Sequence, residues 1–172
     1  MPKTAVTIET ERLILRPFTL DDVALSYEMN LDARVSEFTG DGGVASLKEI
    51  ERRITEDVLG DYAKYGYGRW AIELKEGSEF IGFAGLKFLD DINEVDLGYR
   101  LMFDYWGKGL ATEAAMACLD YGFNTLHLNR IIAMLLPDNI GSIRVLEKVG
   151  FSYEKELMED GLLIKQYYRD KP

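Results

Sequence analysis

Tyr105-Trp106-Gly107-Lys108-Gly109-Leu110-Ala111-Thr112-Glu113-Ala114 lies between a strand-like segment and an amphipathic helix, and its reading decides the fold. Gly107 and Gly109 flank Lys108 where the helix is expected to begin. Glycine lets a backbone approach a ligand closely, and the first amides of a helix have no carbonyl one turn back. The positive end of the helix dipole adds to those donors, which makes a seat for a phosphate or pyrophosphate. A Gly-rich turn holding nothing is the plain alternative. Two other phosphate loops are excluded by spacing. A nucleotide-hydrolysing loop needs G-x-x-x-x-G-K-[ST], but Gly109 follows Lys108 and no glycine lies five residues before Gly107. A dinucleotide fingerprint needs a third glycine where Thr112 stands, and it belongs on the first strand of a βαβ unit.

Working outward, the periodicity changes several times. Thr10 to Phe18 (TERLILRPF) reads as a strand, and Thr19-Leu20-Asp21-Asp22 caps a short helix reaching about Asn30. Residues 31 to 45 are loop-like, broken at Asp41-Gly42-Gly43. Ser46 with Glu49 three residues on opens a second helix to about Tyr65, with Ile50, Ile54, Val58 and Leu59 on one face. Arg69 to Lys75 and Phe80 to Phe88 form a hairpin signal, and a third strand runs from about Glu94 to Phe103. Leu110 to about Thr125 is helical, Arg130 to Leu136 suits a strand buried on both faces, and Asn139 to Val149 is a short helix ended by Gly150. Strands near Ser152 to Met158 and Leu163 to Arg169 close the chain. The expected class is mixed α/β, an α+β arrangement whose antiparallel start becomes parallel where helices intervene.

Composition narrows the function. The 172 residues are 47% hydrophobic and 29% charged, which suits one ordinary globular domain spanning 1–172. No run of 18 apolar residues exists and Met1-Pro2-Lys3-Thr4 leads into no apolar signal core, so neither a membrane span nor secretion is expected. A lone Cys118 and a lone His127 leave no disulfide and no thiolate or imidazole metal site, which fits a reducing cytoplasm. The net charge of −10 is spread through both halves of the chain. It disfavours nucleic acid and anionic lipid, and suits cationic partners such as amines or basic peptides, or serves solubility alone.

With its surroundings the glycine loop resembles the GNAT superfamily of acetyl-CoA-dependent N-acetyltransferases. That signature is [QR]-x-x-G-x-[GA], and Trp106 to Ala111 (WGKGLA) matches it except at the first position. Asn139, Ser142, Lys148, Gly150 and Phe151 are similar to the family's N-x-x-S/A-x-x-x-x-x-K-x-G-F helix. The opening TERLILRPF strand, Tyr-Trp-Gly-Lys-Gly followed by Ala-Thr-Glu-Ala, and Asn139 with Ser142 look like the branch of ribosomal-protein N-terminal (RimJ/RimL-type) acetyltransferases. The resemblance covers nearly the whole chain and is strongest from about residue 80 to 155. It implies a GNAT-like acyl-CoA N-acyltransferase fold with a central, mostly antiparallel mixed sheet of about six or seven strands and about four helices.

The resemblance also implies roles. Amides of Trp106, Gly107, Lys108, Gly109, Leu110, Ala111 and Thr112 would hold the pyrophosphate of acetyl-CoA, and Leu101, Met102 and Phe103 would pair with its pantetheine arm like an added strand. Asn139 and Ser142 would also contact the cofactor. Trp106 replaces a side chain that meets phosphate elsewhere in the family, and can instead pack on the loop. An ammonium must lose a proton before it attacks a thioester, and in the family a strand carboxylate commonly takes it. Asp96, before Leu97-Gly98-Tyr99, is favoured, with Glu94 two residues back as its understudy. Many relatives place a tyrosine acid where this chain has Leu146, so the Ser142 hydroxyl is left to meet the departing sulfur. A backbone N–H near Leu101 would serve the developing oxyanion. Cys118 falls among Ala and Leu on the helix and reads as core, so direct transfer without a metal is expected.

The acceptor is less determined. Glu28, Asp32, Glu37, Asp41, Tyr62, Tyr65, Tyr67, Glu154, Glu156, Glu159 and Asp160 lie in the segments that recognise substrate in the family. They suit a peptide N-terminus, the favoured acceptor, or a small amine such as a polyamine, amino acid or aminoglycoside. A non-catalytic acyl-CoA sensor is the alternative of another class, and a homodimer is possible.

Overall fold

A computed structural model describes residues 5–40 and 45–172; the Asp41-Gly42-Gly43 breaker therefore lies outside the described residues. The elements run β1 (Ile8–Glu9), β2 (Leu13–Pro17), α1 (Val23–Leu31), α2 (Ala33–Ser36), α3 (Leu47–Arg52), α4 (Leu59–Tyr65), β3 (Arg69–Leu74), β4 (Phe80–Leu89), β5 (Glu94–Leu101), α5 (Leu110–Asp120), β6 (Arg130–Leu135), α6 (Ile140–Lys148), β7 (Ser152–Glu159) and β8 (Leu162–Asp170). The expected order of strands and helices holds. Three features are added: the two-residue β1, the short α2 inside the expected 31–45 loop, and wide π turns at Arg53–Val58 and Tyr121–Thr125. The first π turn joins α3 to α4, so the predicted 46–65 helix is one continuous rod, capped as its sequence says by Glu49 N–H donating to Ser46 Oγ at 3.1 Å.

Eight strands form one sheet in the order β1-β2-β3-β4-β5-β6-β8-β7, one or two more than the sequence implies. Every neighbour is antiparallel except β5 with β6, the pair bridged by α5. The expected parallel half is therefore a single pairing, because β8 inserts between β6 and β7. Two apolar layers cover the sheet. Trp70, Ile72, Ile81, Leu86 and Ile131 pack with α5 and α6 on one side, while Phe18, Ile50, Ile54, Ala71 and Phe80 pack on the other. Gly82 (φ +148) sits at a register shift between β3 and β4 that breaks the alternation, so Ile81 shares a layer with Ala84 and Leu86 while Phe80 shares the other with Phe83. A Cβ on Gly82 would lie 2.1 Å from the Arg100 carbonyl, so only glycine fits there.

The consequential irregularity is in the middle of the sheet. The β5–β6 ladder consists of one pairing, Asp96 with Ile132. Beyond it β5 continues to Leu101 and β6 to Leu135 with no further partners on that side, so the two strands splay apart. No helix among the described residues is long and apolar enough to cross a membrane.

Candidate active site

The splay opens into a cleft of about 770 Å³. Its walls include Asp96, Gly98, Tyr99 and Leu101 from β5, the loop residues Tyr105, Trp106, Gly107 and Gly109, the first turn of α5, and the Asn139–Lys148 face of α6. Of the residues singled out from sequence, Asp96, Leu101, Trp106, Gly107, Gly109, Leu110, Ala111, Thr112, Asn139 and Ser142 line this cleft; Glu94, Met102, Phe103 and Lys108 do not.

The glycine loop is built as its sequence suggests. Gly107 (φ +73) and Gly109 (φ +77) both take the left-handed conformation, and a Cβ on Gly107 would project into open space. Gly109 precedes α5, so the amides of Leu110, Ala111 and Thr112 are the unpartnered first donors of that helix. The loop is held from behind by residues that the sequence reading did not connect to it. Glu113 accepts from Thr10 Oγ1 at 2.6 Å, from Arg12 Nε at 2.8 Å and from the Arg12 amide at 3.0 Å, while Arg12 Nη1 donates to the Lys108 carbonyl at 2.9 Å. The Thr-Glu-Arg turn and the Ala-Thr-Glu-Ala turn are one clamp. The only signal for it was their presence in the same chain.

Burial pushes the Glu113 carboxyl up, but the Thr10 and Arg12 bonds outweigh it and hold the group below its ordinary value. A depressed carboxylate stabilises the fold above its unfolded pKa, and that contribution fades as pH falls through the lower folded value. Glu113→Gln is expected to lower stability by about 1 kcal/mol at pH 7, a figure discounted because Arg12 is half exposed. Denaturation midpoints measured from pH 7 to 3 should show wild type and variant converging at the acid end.

Trp106 does pack on the loop. Its Nε1 donates to the Leu101 carbonyl at 2.8 Å and its ring lies 5.0 Å from that of Phe103. This ties the glycine loop to the end of β5. The strand-end positions expected to face the cleft need correcting. The Met102 amide donates to Ile81 of β4 at 2.8 Å, so alternation turns the backbone groups of Tyr99 and Leu101 toward the splay. Leu101 keeps its expected place, Tyr99 joins it on the cleft wall, and Met102 and Phe103 lie off that wall.

Asp96 sits at the apex of the splay and is only 9% exposed. Arg69 of β3 reaches it with Nη2 at 2.6 Å from Oδ2, and Arg69 Nη1 donates to the carbonyls of Gly85 (2.6 Å) and Asp96 (3.0 Å). Burial pushes the Asp96 carboxyl above the ordinary range; the Arg69 charge and hydrogen bond, the Met134 amide and Lys87 oppose it without cancelling it. Glu94, the expected understudy, is elsewhere. It shares the Asp96 face by alternation, but Arg130 Nε binds it at 3.2 Å and Glu154 completes that cluster at 2.6 Å, outside the cleft.

On the opposite wall Asn139 Oδ1 accepts from the Ser142 amide at 3.2 Å, which makes it the N-cap of α6. The Tyr99 hydroxyl donates to the Ser142 carbonyl at 3.0 Å, a link invisible in the sequence. Leu146 is buried in the main core, as is Cys118, whose thiol burial pushes up to about 12. Among the described residues proposed to meet the acceptor, only Glu159 and Asp160 reach the cleft wall. Tyr62 is buried with its hydroxyl bonded to the Arg69 carbonyl, Asp32 caps α2 and holds Arg34, and Glu154 holds Arg130. Asp41 lies outside the described residues.

Known proteins are similar to this chain in sequence or fold. An uncharacterized N-acetyltransferase p20 of Bacillus licheniformis is 34% identical over 150 residues, 86% of this chain and 83% of its own length. The spermidine N(1)-acetyltransferase of Escherichia coli K12 is 28% identical over 157 residues, 89% of this chain and 80% of its own length. The ribosomal alpha-N-protein acetyltransferase RimL, solved in complex with coenzyme A, superposes with a TM-score of 0.80 at 19% identity over 96% of this chain and 98% of its own, a likeness of fold alone. Residues 12–152, which hold the splay, the glycine loop and all of the clamp but Thr10, match the Acetyltransferase (GNAT) domain, and the chain belongs to the GNAT family of N-acetyltransferases.

Proposed function

We propose that residues 1–172 form one acetyltransferase domain that transfers the acetyl group of acetyl-CoA to a primary amine by direct attack, with a peptide or protein N-terminus as the favoured acceptor. The observation that carries this reading is the splay of β5 from β6, with a buried carboxylate at its apex and a left-handed glycine loop on its wall. The residues fit the cofactor: Gly107 leaves open space where a side chain would stand, and the adjoining amides are unpaired helix donors. Bound there, acetyl-CoA supplies an activated thioester.

The chain's own groups have distinct tasks. The amides from Gly107 to Thr112 hold a pyrophosphate, the expected Trp106 amide being taken by the Phe103 carbonyl at 3.0 Å, and Arg144 and Lys148 on the α6 wall add positive charge. The edge at Tyr99 and Leu101, where the Leu101 carbonyl also accepts from Trp106 Nε1, offers its remaining backbone groups to an extended arm, and the Leu101 N–H is the donor for the developing oxyanion. Asp96 takes the ammonium proton, directly or through one water, and Ser142 faces the departing sulfur. Glu159 and Asp160 lend negative charge at the mouth, which suits a cationic acceptor.

A polyamine is the second reading, favoured by the spermidine-acetylating relative. Incubation with acetyl-CoA and either short peptides with free N-termini or spermidine, read by mass spectrometry, separates the two. An increment of one acetyl on the peptide α-amine supports the first; exclusive acetylation of spermidine replaces it with the second. Absence of turnover on every amine tried overturns both.

A further inference from the structure

The arginine beneath the cleft is seated with more care than an ion pair needs. Gly85 on β4 and Gly98 on β5 are directly paired across the two strands. Together they leave a trough in the sheet surface, and the Arg69 guanidinium lies in it. A Cβ on Gly98 would stand 2.6 Å from Arg69 Cζ, and one on Gly85 would stand 2.4 Å from the Gly68 carbonyl. Any larger residue at either position would displace the guanidinium or the neighbouring strand. Within the trough Arg69 uses Nη1 on two strand carbonyls and Nη2 on Asp96 Oδ2, so its plane is fixed by three acceptors on two strands. Both side chains are largely buried, 16% and 12% exposed. At such depth a lone carboxylate would take up a proton near neutrality.

We propose that Arg69 is the positioning residue of the proton acceptor: clamped in the Gly85–Gly98 trough, it keeps Asp96 ionised and fixes its carboxylate plane, leaving Oδ1 outside the arginine's grip for proton transfer. The proposal rests on Asp96 as the group that deprotonates the amine. Two tendencies are balanced here. Burial raises the basicity that a proton acceptor needs, and the guanidinium charge and hydrogen bond oppose that rise. The other groups facing the pair do not replace it. Lys87, opposite Asp96 on β4, is held by Asp61 at 3.0 Å. Tyr99 on β5 has its hydroxyl bonded to Ser142, Met134 on β6 offers a neutral amide, and Cys118 on α5 stays a neutral thiol because burial pushes it up.

Removing an adjacent opposite charge disfavours the carboxylate, so its protonation midpoint must rise, by roughly 1–3 units for a contact this short. The rate depends on the ionised form, and its acid limb must move to higher pH by the same amount. The experiment uses Arg69→Met, Arg69→Lys and Gly98→Ala. The last leaves the arginine in place and pushes only its flexible end, so it serves if Arg69→Met does not fold. Asp96 is titrated by carboxyl carbon NMR, assigned with Asp96→Asn, alongside the pH profile of kcat/KM for the amine. The expected result is a midpoint raised by at least one unit in Arg69→Met and Gly98→Ala, an intermediate value in Arg69→Lys, and an acid limb that follows. A variant that melts earlier but leaves the midpoint unmoved would overturn the proposal and assign Arg69 a structural role. A raised midpoint with an unmoved acid limb would show instead that Arg69 holds the carboxylate but that Asp96 is not the base, which overturns the reading beneath.

Discussion

Gly109→Glu is expected to abolish acetyl-CoA binding in a calorimetric titration that gives micromolar affinity for the wild type. Two effects add. Gly109 holds φ +77, a conformation that costs an L-residue about 1–2 kcal/mol. The new side chain would leave the backbone on the Arg12 side, and its negative charge beside the opening of α5 would repel a pyrophosphate from the unpaired amides. Together these are worth on the order of 3 kcal/mol, or more than a hundredfold in Kd. Gly109→Ala isolates the conformational part, because its Cβ would meet only the Arg12 guanidinium at an ordinary 3.5 Å. It should weaken binding about tenfold. Lys108→Ala, outside the cleft wall, should cost only a few-fold. Undiminished affinity in Gly109→Glu would move the cofactor off this loop and remove the basis of the proposed mechanism.

Asp96→Asn carries the second large effect. A positioned base typically contributes 10²–10⁴-fold, so kcat at pH 7 should fall by about that much while acetyl-CoA affinity stays near wild type. Without a base only the fraction of acceptor already neutral can attack, so the variant's rate should climb with pH toward the amine's own pKa, narrowing the gap to wild type. The substitution also leaves the buried Arg69 guanidinium facing a neutral amide, which costs on the order of 3–5 kcal/mol. Thermal melting must therefore accompany the kinetics, and assays belong well below the variant's Tm. Glu94→Gln is the matched control: tied to Arg130 away from the cleft, it should leave kcat within about twofold. Turnover of Asp96→Asn near the wild-type level at pH 7 would mean that the amine loses its proton elsewhere.

Much of this molecule is written in local patterns. Period-2 and period-3.6 runs of apolar residues located the strands from β2 onward and every longer helix to within a few residues, because each element buries one face and repeats apolar side chains at its own spacing. Ser46 could be read as a cap, and Gly107 and Gly109 as a turn bringing backbone close to a ligand at a helix start, because such features are decided within a few residues. The order and spacing of the glycine loop and the Asn139 helix were enough to identify the family.

What the sequence could not order was anything joining distant segments. It placed Glu94 and Asp96 on one strand face, yet Arg130 and Glu154 draw the first into a separate cluster while Arg69 holds the second at the apex of the cleft. It offered Leu101, Met102 and Phe103 to the splay; the backbone bond from Met102 to Ile81 turns Met102 to β4, and Tyr99 joins Leu101 at that edge. It showed Thr10, Arg12 and Glu113 in two motifs a hundred positions apart without showing that they touch. The sequence by itself determined the elements, the family and the loop that suits a phosphate, since local conformation follows from local composition. Only the tertiary structure decided which carboxylate is buried, which arginine faces it and where the sheet opens, because burial and ion pairing depend on strand register and on residues that meet only when the chain has folded.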